Sequence, residues 1–110
     1  MPPVSFPAFS NNLHLAIDQG GQSTRVAIYT ATGQQICAYS SPCATQHSHA
    51  TNSTYPHIEQ NGAAILAGIR DSLHSIQQYL GADVQHIASA GFAGQGSSLL
   101  CWNNHTGDAL

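Results

Sequence analysis

Residues 15–25 read Leu15-Ala16-Ile17-Asp18-Gln19-Gly20-Gly21-Gln22-Ser23-Thr24-Arg25, and this stretch decides how the whole chain is interpreted. An apolar strand delivers a carboxylate to its end, and a pair of glycines then lets the backbone approach a bulky anion. Hydroxyl groups and an arginine follow. A phosphate with its metal ion needs such groups: N–H groups and hydroxyls for the anionic oxygens, a guanidinium for a bidentate contact, and a carboxylate for Mg²⁺ or its waters. The alternative is a plain hairpin, whose loop is rich in Gly and Ser because it turns and whose Arg25 is solvated.

The sequence around this stretch predicts a three-stranded antiparallel meander. The apolar stretch from Leu13 to Ile17 and the alternating stretch from Thr24 to Tyr29 form a first hairpin. A turn at Ala31-Thr32-Gly33 leads to a third strand from Gln34 to Tyr39. From Ser40 to Pro56 the chain is polar and has no periodicity, so we predict a loop there.

A helix is the clearest element in the second half of the chain. Asn61 can cap its start, directly before Gly62, and Gly81 can end it. Its apolar residues recur at spacings of four and three, which predicts one buried stripe. The stripe consists of Ile65, Ile69, Leu73, Ile76 and Leu80.

Two strands and a turn are predicted after the helix. Ile87 to Phe92 is a strand of small residues, and Gly94-Gln95-Gly96 is a flexible break. Ser98 to Trp102 is a second strand, and Asn103 to Gly107 is a polar turn. Because a helical crossover joins parallel strands, the strand at Ile87 should run parallel to the first strand, which gives a mixed α/β arrangement.

The composition fits one small domain and excludes several kinds of partner. The chain has 110 residues, of which 42% are apolar, enough to bury one core. Lys and Arg total only 2 and the formal net charge is -3, so we expect no nucleic-acid partner and no acidic membrane surface. The three cysteines form no disulfide framework, and the start has no signal-peptide pattern. We therefore predict a cytoplasmic protein with a disordered leader over residues 1–12 and one domain over residues 13–110.

A zinc site is a rival interpretation of the polar middle of the chain. Cys43, His47, His49 and His57 carry thiolate and imidazole groups, which bind Zn²⁺ well. Their spacing matches no closed zinc site, so we interpret the histidines as ordinary loop residues. A hydrolase nucleophile is not indicated either, because no serine lies in a Gly-x-Ser-x-Gly elbow.

Several segments, in the correct order and spacing, are similar to motifs of one enzyme family. The stretch from Asp18 to Arg25 resembles Asp-Gln-Gly-Thr-Thr-Ser-Ser-Arg, and the stretch from His57 to Asn61 resembles Val-Glu-His/Gln-Asp-Pro. Gly94-Gln95, Leu99 to Trp102 and Thr106 to Leu110 look like Asn/Gly-Gln, Val-Val-Trp-Asp and Thr-Gly-x-Pro-Leu. These are motifs of the FGGY carbohydrate kinases, the family of glycerol kinase and xylulokinase within the actin-like ATPase superfamily. The resemblance covers residues 13–110.

The resemblance implies a ribonuclease H-like fold, present in duplicate in the family, with ATP and sugar meeting in the cleft between the halves. This chain would supply the N-terminal part: the meander, the helix, a parallel strand and a hairpin strand. The implied activity is ATP-dependent phosphorylation of a sugar or polyol hydroxyl with Mg²⁺. By resemblance, the residues that bind the ATP phosphates are Asp18, Gly20, Gly21, Gln22, Ser23, Thr24 and Arg25, with Asp18 also near the metal. Those that bind the substrate are Gln95, Gly96 and Ser97.

The chain also departs from the family pattern. Gly21 and Gln22 replace two threonines, and Gly96-Ser97 replaces the sugar-contacting dipeptide, so the sugar is not identified. The family's catalytic aspartate lies beyond the position of Leu110, so we expect no catalytic residue in this chain and no activity from it alone. A non-catalytic, regulatory actin-like module is the alternative. Half of such a fold should leave apolar surface uncovered, which predicts a homo-oligomer.

Overall fold

The computed structural model describes residues 12–43, 46–49, 56–96 and 98–108. They form a four-stranded sheet with one long helix packed on it, and a separate two-stranded sheet. The strands are β1 (Leu13–Gln19), β2 (Ser23–Thr30), β3 (Gln35–Pro42), β4 (Gln46–His49), β5 (Pro56–Glu59) and β6 (Ile87–Gly94). The helices are α1 (Gly62–Leu80) and a short 3-10 helix (Gly81–His86), which the sequence did not predict.

The main sheet has the strand order β3-β2-β1-β6. β1 pairs antiparallel with β2, and β2 pairs antiparallel with β3, as the predicted meander requires. β6 returns after α1 and pairs parallel with β1, with Ile17 opposite Phe92. The predicted crossover is therefore confirmed, and all four strands belong to one sheet.

The hydrophobic core lies between α1 and one face of this sheet. It is built from Leu13, Val26, Ile28 and Cys37 of the sheet and Ile76 and Leu80 of the helix. Burying a side chain of this size contributes about 1.5–3 kcal/mol each. Because side chains alternate along a strand, the β1 residues His14, Ala16 and Asp18 point to the opposite face.

Both ends of α1 form as predicted. The Asn61 side chain accepts a hydrogen bond of 3.1 Å from the Ala64 N–H, which satisfies one of the amides that a helix start leaves unpaired. At the other end Gly81 has φ +57°, in the region that favours glycine, and its N–H donates to the Gln77 carbonyl.

The buried face of α1 differs from the predicted stripe. Its fully buried residues are Gly68, Ser72, Ile76 and Leu80. Ile69 and Leu73 lie on the flank of this face and are only partly buried. The reason is the close approach of the helix to β3, since a Cβ built at Gly68 would lie 3.2 Å from Cβ and Oγ of Ser41. Small residues therefore face the sheet in the first half of the helix.

Two sequence predictions of local structure are wrong. The predicted loop from Ser40 to Pro56 contains the end of β3 and all of β4, and β4 pairs antiparallel with β5 from Gln46 opposite Glu59 onward. A two-stranded ribbon is held by backbone hydrogen bonds, so it can form without an apolar alternation. The predicted strand from Ser98 to Trp102 has only an isolated bridge at Trp102. That segment contacts the start of α1 instead, since a Cβ built at Gly62 would lie 3.7 Å from both Leu100 Cδ atoms.

Exposed apolar residues lie on β6 at the sheet edge, on α1 and in the segment after β6. α1 covers β2 and β3, whereas β6 lies beyond it at the edge of the described sheet. Phe92 is 64% exposed and Leu99 is 89% exposed, and Leu66, Leu100 and Trp102 are exposed as well. No helix in the described ranges is long and apolar enough to cross a membrane. The leader predicted over residues 1–12 lies outside the described part, except for Asn12.

Candidate functional site

The turn between β1 and β2 is the centre of the candidate site. The last paired residues of the hairpin are Gln19 and Thr24, and the Gly20 N–H donates to the Ser23 carbonyl at 2.9 Å. Gly21 and Gln22 form the tip. All seven residues predicted to bind phosphate lie in this turn or in the strand ends next to it.

The carbonyl groups at the turn tip are held from the protein side. The Gln60 side-chain amide donates to the Gly21 carbonyl at 2.9 Å and reaches the Gly20 carbonyl at 3.4 Å. The Gln19 side chain donates to the same Gly20 carbonyl at 3.1 Å. The Gln22 carbonyl accepts a hydrogen bond of 2.8 Å from the Cys43 N–H. The backbone carbonyls of Gly20, Gly21 and Gln22 thus each accept a hydrogen bond from another group of the protein.

This anchoring determines where the amide N–H groups of the turn point. In a trans peptide the C=O of one residue and the N–H of the next point in opposite directions. The described chain has no cis peptide bond. The N–H groups of Gly21, Gln22 and Ser23 therefore point away from Gln60 and Cys43. Consecutive N–H groups with a common direction form a concave site for an anion.

Asp18 stands next to the turn with an exposed side chain. It makes no hydrogen bond or ion pair with any residue in the described ranges. It lies on the sheet face away from α1, opposite Arg25 in the strand pairing. A carboxylate left without a protein partner beside a set of N–H groups is a suitable ligand for a cation that accompanies an anion.

The Arg25 guanidinium does not face the turn. It donates to the Gln35 side-chain oxygen at 2.6 Å and lies 3.4 Å from the Tyr29 hydroxyl. Both partners are farther along the sheet, at the end of β2 opposite the turn. The structure therefore places this guanidinium away from the tip, and its approach to the phosphates stays a prediction.

The Thr24 side chain is also turned away from solvent. It is fully buried, and its hydroxyl donates to the Gln19 side-chain oxygen. On its other side it lies close to the helix, 3.7 Å from a Cβ built at Gly68. Thr24 and Gln19 together hold the base of the turn against α1, so the Thr24 hydroxyl supports the turn from behind.

The end of β6 brings a predicted substrate residue to the same place. A Cβ built at Gly21 would lie 3.7 Å from Oε1 and 4.0 Å from Nε2 of Gln95. Gly96 follows as an exposed turn residue, and Ser97 lies outside the described residues. The structure therefore joins the turn and Gln95, which are far apart in the sequence.

The rival zinc site has no structural support among the described residues. Cys43 is buried directly after β3, and the side chains of His47, His49 and His57 lie outside the described part. In the part of the chain that the structure describes, no group of three or more His, Cys, Asp or Glu residues could hold a metal ion.

Gln60 is the residue that sequence reasoning did not assign to the site. It contacts the turn from 39 and 40 positions away, so no local pattern reveals the contact. The sequence signal was its position inside the family-like stretch from His57 to Asn61, directly before the helix cap at Asn61.

Comparisons with known proteins agree with this fold. A model of the FGGY family of carbohydrate kinases, N-terminal domain, matches residues 13–110. The glycerol kinase of Nitrosomonas eutropha is 31% identical over 96 residues, which are 84% of this chain and 18% of that protein. The gluconate kinase structure from Lactobacillus acidophilus matches with a TM-score of 0.70 and 16% identity, over 90% of this chain and 18% of that chain. The structure of Plasmodium falciparum glycerol kinase with ADP matches with a TM-score of 0.68 and 19% identity, over 90% of this chain and 19% of that chain.

These matches decide the fold and the family. The two solved structures confirm the predicted ribonuclease H-like fold. This chain spans about a fifth of the length of each relative. The family model covers nearly all of the chain, including the turn, α1 and β6, and the chain belongs to the FGGY family of carbohydrate kinases.

Proposed function

We propose that this chain supplies the phosphate-binding hairpin of an ATP-dependent carbohydrate kinase, which phosphorylates a hydroxyl of a sugar or polyol. The anchored turn is the observation that carries the proposal. Its carbonyls from Gly20 to Gln22 are bound on the protein side, so the N–H groups that follow them point to the other side, in the arrangement that binds an anion. Membership of a carbohydrate kinase family supports the activity.

The residues at the turn fit a nucleotide phosphate with its metal ion. The N–H groups of Gly21, Gln22 and Ser23 and the Ser23 hydroxyl would hold phosphate oxygens. The Asp18 carboxylate, exposed and unpaired among the described residues, would bind Mg²⁺ or its waters. Bound Mg²⁺ neutralises phosphate charge during transfer. Thr24 supports the turn from inside, and Arg25 would have to leave Gln35 to approach the phosphates.

The position of Gln95 supports a substrate role for the end of β6. Phosphoryl transfer requires the acceptor hydroxyl to lie about 3–3.5 Å from the reacting phosphorus in a near-attack arrangement. Gln95 lies beside Gly21, so a sugar held by the segment of Gln95, Gly96 and Ser97 would stand next to phosphates held by the turn. The sequence of this segment does not identify the sugar.

The complete enzyme requires more than this chain. Its relatives are several times longer, and we propose that the chain acts as the N-terminal domain of a longer cytoplasmic polypeptide that contains the catalytic carboxylate and the adenine site. The exposed apolar residues of β6 and the following segment would be covered by that polypeptide. In its absence they would be covered by a second copy of the chain.

Substitution of Asp18 tests the phosphate site. In the longer polypeptide, Asp18→Asn should lower kcat by about a hundredfold, because it removes the charge at the metal but keeps the shape of the side chain. Asp71→Asn is the matched control, since Asp71 is exposed on α1, remote from the turn. Both variants should melt at the wild-type temperature. An Asp18→Asn enzyme with the wild-type rate and Mg²⁺ dependence would show that the turn is not the phosphate site. Phosphate binding without turnover in the wild type would favour the non-catalytic alternative.

A further inference from the structure

Gln60 occupies a position that both neighbouring elements fix. Glu59 before it is the last residue of β5 and pairs with Gln46 of β4. Asn61 after it caps α1 through its hydrogen bond to Ala64. The backbone at Gln60 is therefore restrained on both sides, and its half-buried side chain projects from a rigid base toward the turn.

Among the described residues, the Gln60 side-chain nitrogen contacts three backbone carbonyl oxygens. Its Nε2 lies 2.9 Å from the Gly21 carbonyl oxygen, 3.3 Å from that of Cys43 and 3.4 Å from that of Gly20. An amide nitrogen has two N–H donors, so they are shared among three acceptors, with the shortest bond going to Gly21. A carboxylate at this point would face three carbonyl oxygens and repel them.

The turn depends on such an anchor because of its own sequence. Gly20-Gly21 is the most flexible dipeptide that a turn can contain, and its peptide unit can rotate at little steric cost. A rotation would present a carbonyl oxygen, instead of an N–H group, to a bound anion. The Cys43 N–H holds the Gln22 carbonyl, and the Gln19 side chain also donates to the Gly20 carbonyl at 3.1 Å. Gln60 adds the 2.9 Å hydrogen bond to the Gly21 carbonyl.

We propose that Gln60 is a positioning residue for phosphate binding: it holds the Gly20 and Gly21 carbonyls on the protein side and so keeps the N–H groups of the turn directed at the phosphates. It contacts the turn and not the phosphate. This inference rests on the proposed function, because it assigns a role to Gln60 only if the turn binds phosphate. It adds a residue of the connection between β5 and α1 to a site otherwise built from the β1–β2 hairpin.

Two substitutions separate the effect of the Gln60 N–H donors from the effect of the shape of its side chain. Gln60→Glu keeps the shape and replaces donors with acceptors, whereas Gln60→Met removes the donors without adding charge. Gln85→Glu, at an exposed position in the 3-10 helix, controls for the added negative charge. Binding of inorganic tripolyphosphate with Mg²⁺ is measured by phosphorus NMR on the 110-residue chain. Thermal unfolding is followed for every variant.

We expect Gln60→Glu and Gln60→Met to raise the Kd for tripolyphosphate about tenfold, which corresponds to about 1.4 kcal/mol. Gln85→Glu should retain the wild-type Kd. In the longer polypeptide the same two variants should raise the KM for ATP while the KM for the sugar stays unchanged, a split that general damage to the fold would not produce.

The outcomes distinguish the two hypotheses. If the wild-type chain does not bind tripolyphosphate, the proposed function fails and this inference fails with it. If the wild type binds and Gln60→Met binds equally well, only the role of Gln60 is overturned. A large fall in the melting temperature of Gln60→Met, with both KM values changed together, would show a structural role and would also overturn the inference.

Discussion

The contact between Gly68 and Ser41 controls how closely α1 approaches the sheet. A Cβ at Gly68 would lie 3.2 Å from both Cβ and Oγ of Ser41 and 3.7 Å from the Thr24 hydroxyl oxygen. In Gly68→Ala, the gain of about 1 kcal/mol in helix propensity should be offset by a shift of Ser41. Gly68→Val adds two methyl groups to the same space, and overpacking of this kind costs about 1–3 kcal/mol. We therefore expect near-neutral stability for the alanine variant and a loss of about 1–2 kcal/mol for the valine variant.

Urea unfolding followed by circular dichroism measures both changes. Ala67→Val is the matched control, because Ala67 is the exposed neighbour on α1 and reports only the lower helix propensity of valine, about 0.5 kcal/mol. The valine variant at Gly68 should also melt about 4–8 °C lower per kcal/mol lost. Adding Ser41→Ala should restore part of the stability, since it removes one of the two atoms in contact. A Gly68→Val protein as stable as Ala67→Val, with no effect of Ser41→Ala, would refute the close helix approach.

Three further predictions concern the isolated chain. The exposed residues Phe92, Leu99 and Trp102 should make it self-associate, and a compact monomer in sedimentation that binds no apolar dye would contradict this. Burial raises the pKa of the Cys37 thiol above 9.0, and burial with the charges of Cys37 and Tyr79 raises the pKa of Tyr39 above 10.0. Both groups bind their protons more tightly in the folded state, so their contribution to the free energy of unfolding should be fully present below pH 9.0 and lost as the pH rises through the raised pKa values. A melting temperature that stays constant over this pH range would contradict the prediction. The chain alone should not phosphorylate sugars, because transfer needs both halves of the fold, and sugar-dependent ATP consumption by the pure chain would disprove it.

The elements that could be predicted from the sequence are mainly those in which a buried face produces a regular pattern of apolar residues. β1 and β2 alternate because one face packs against α1, and the caps at Asn61 and Gly81 follow from local backbone chemistry. The β4–β5 ribbon could not be predicted from the pattern of apolar residues, because polar strands can pair through their backbones without alternating apolar and polar residues. The predicted stripe of α1 is confirmed at Ile76 and Leu80. It missed Gly68 and Ser72 because periodicity finds large apolar residues, whereas these small residues make the sheet contact in the first half of the helix.

The candidate site was predicted in part for a similar reason. The β1–β2 turn and Asp18 are adjacent in the sequence, so their chemistry is visible there. The direction of the Arg25 side chain depends on Gln35, and the anchoring of the turn depends on Gln60 and Cys43. These contacts join distant segments and exist only once the sheet and α1 have formed. Gln95 reaches the turn in the same way, through the return of β6 beside β1.

The anchored turn also bears on the departures from the family motif at Gly21 and Gln22. The two threonines of the family pattern offer hydroxyl donors, which this chain lacks at both positions. Backbone N–H groups are donors that no substitution except proline removes, and their use depends only on the direction in which the turn holds them. Gln60 and Cys43 fix that direction from the protein side. Gly21 also leaves the room in which the Gln95 amide lies, since a β-branched side chain would extend from a Cβ already 3.7 Å from Gln95 Oε1. The loss of the hydroxyls is therefore compatible with the proposed phosphate binding, and the same glycine leaves room for the Gln95 side chain beside the turn.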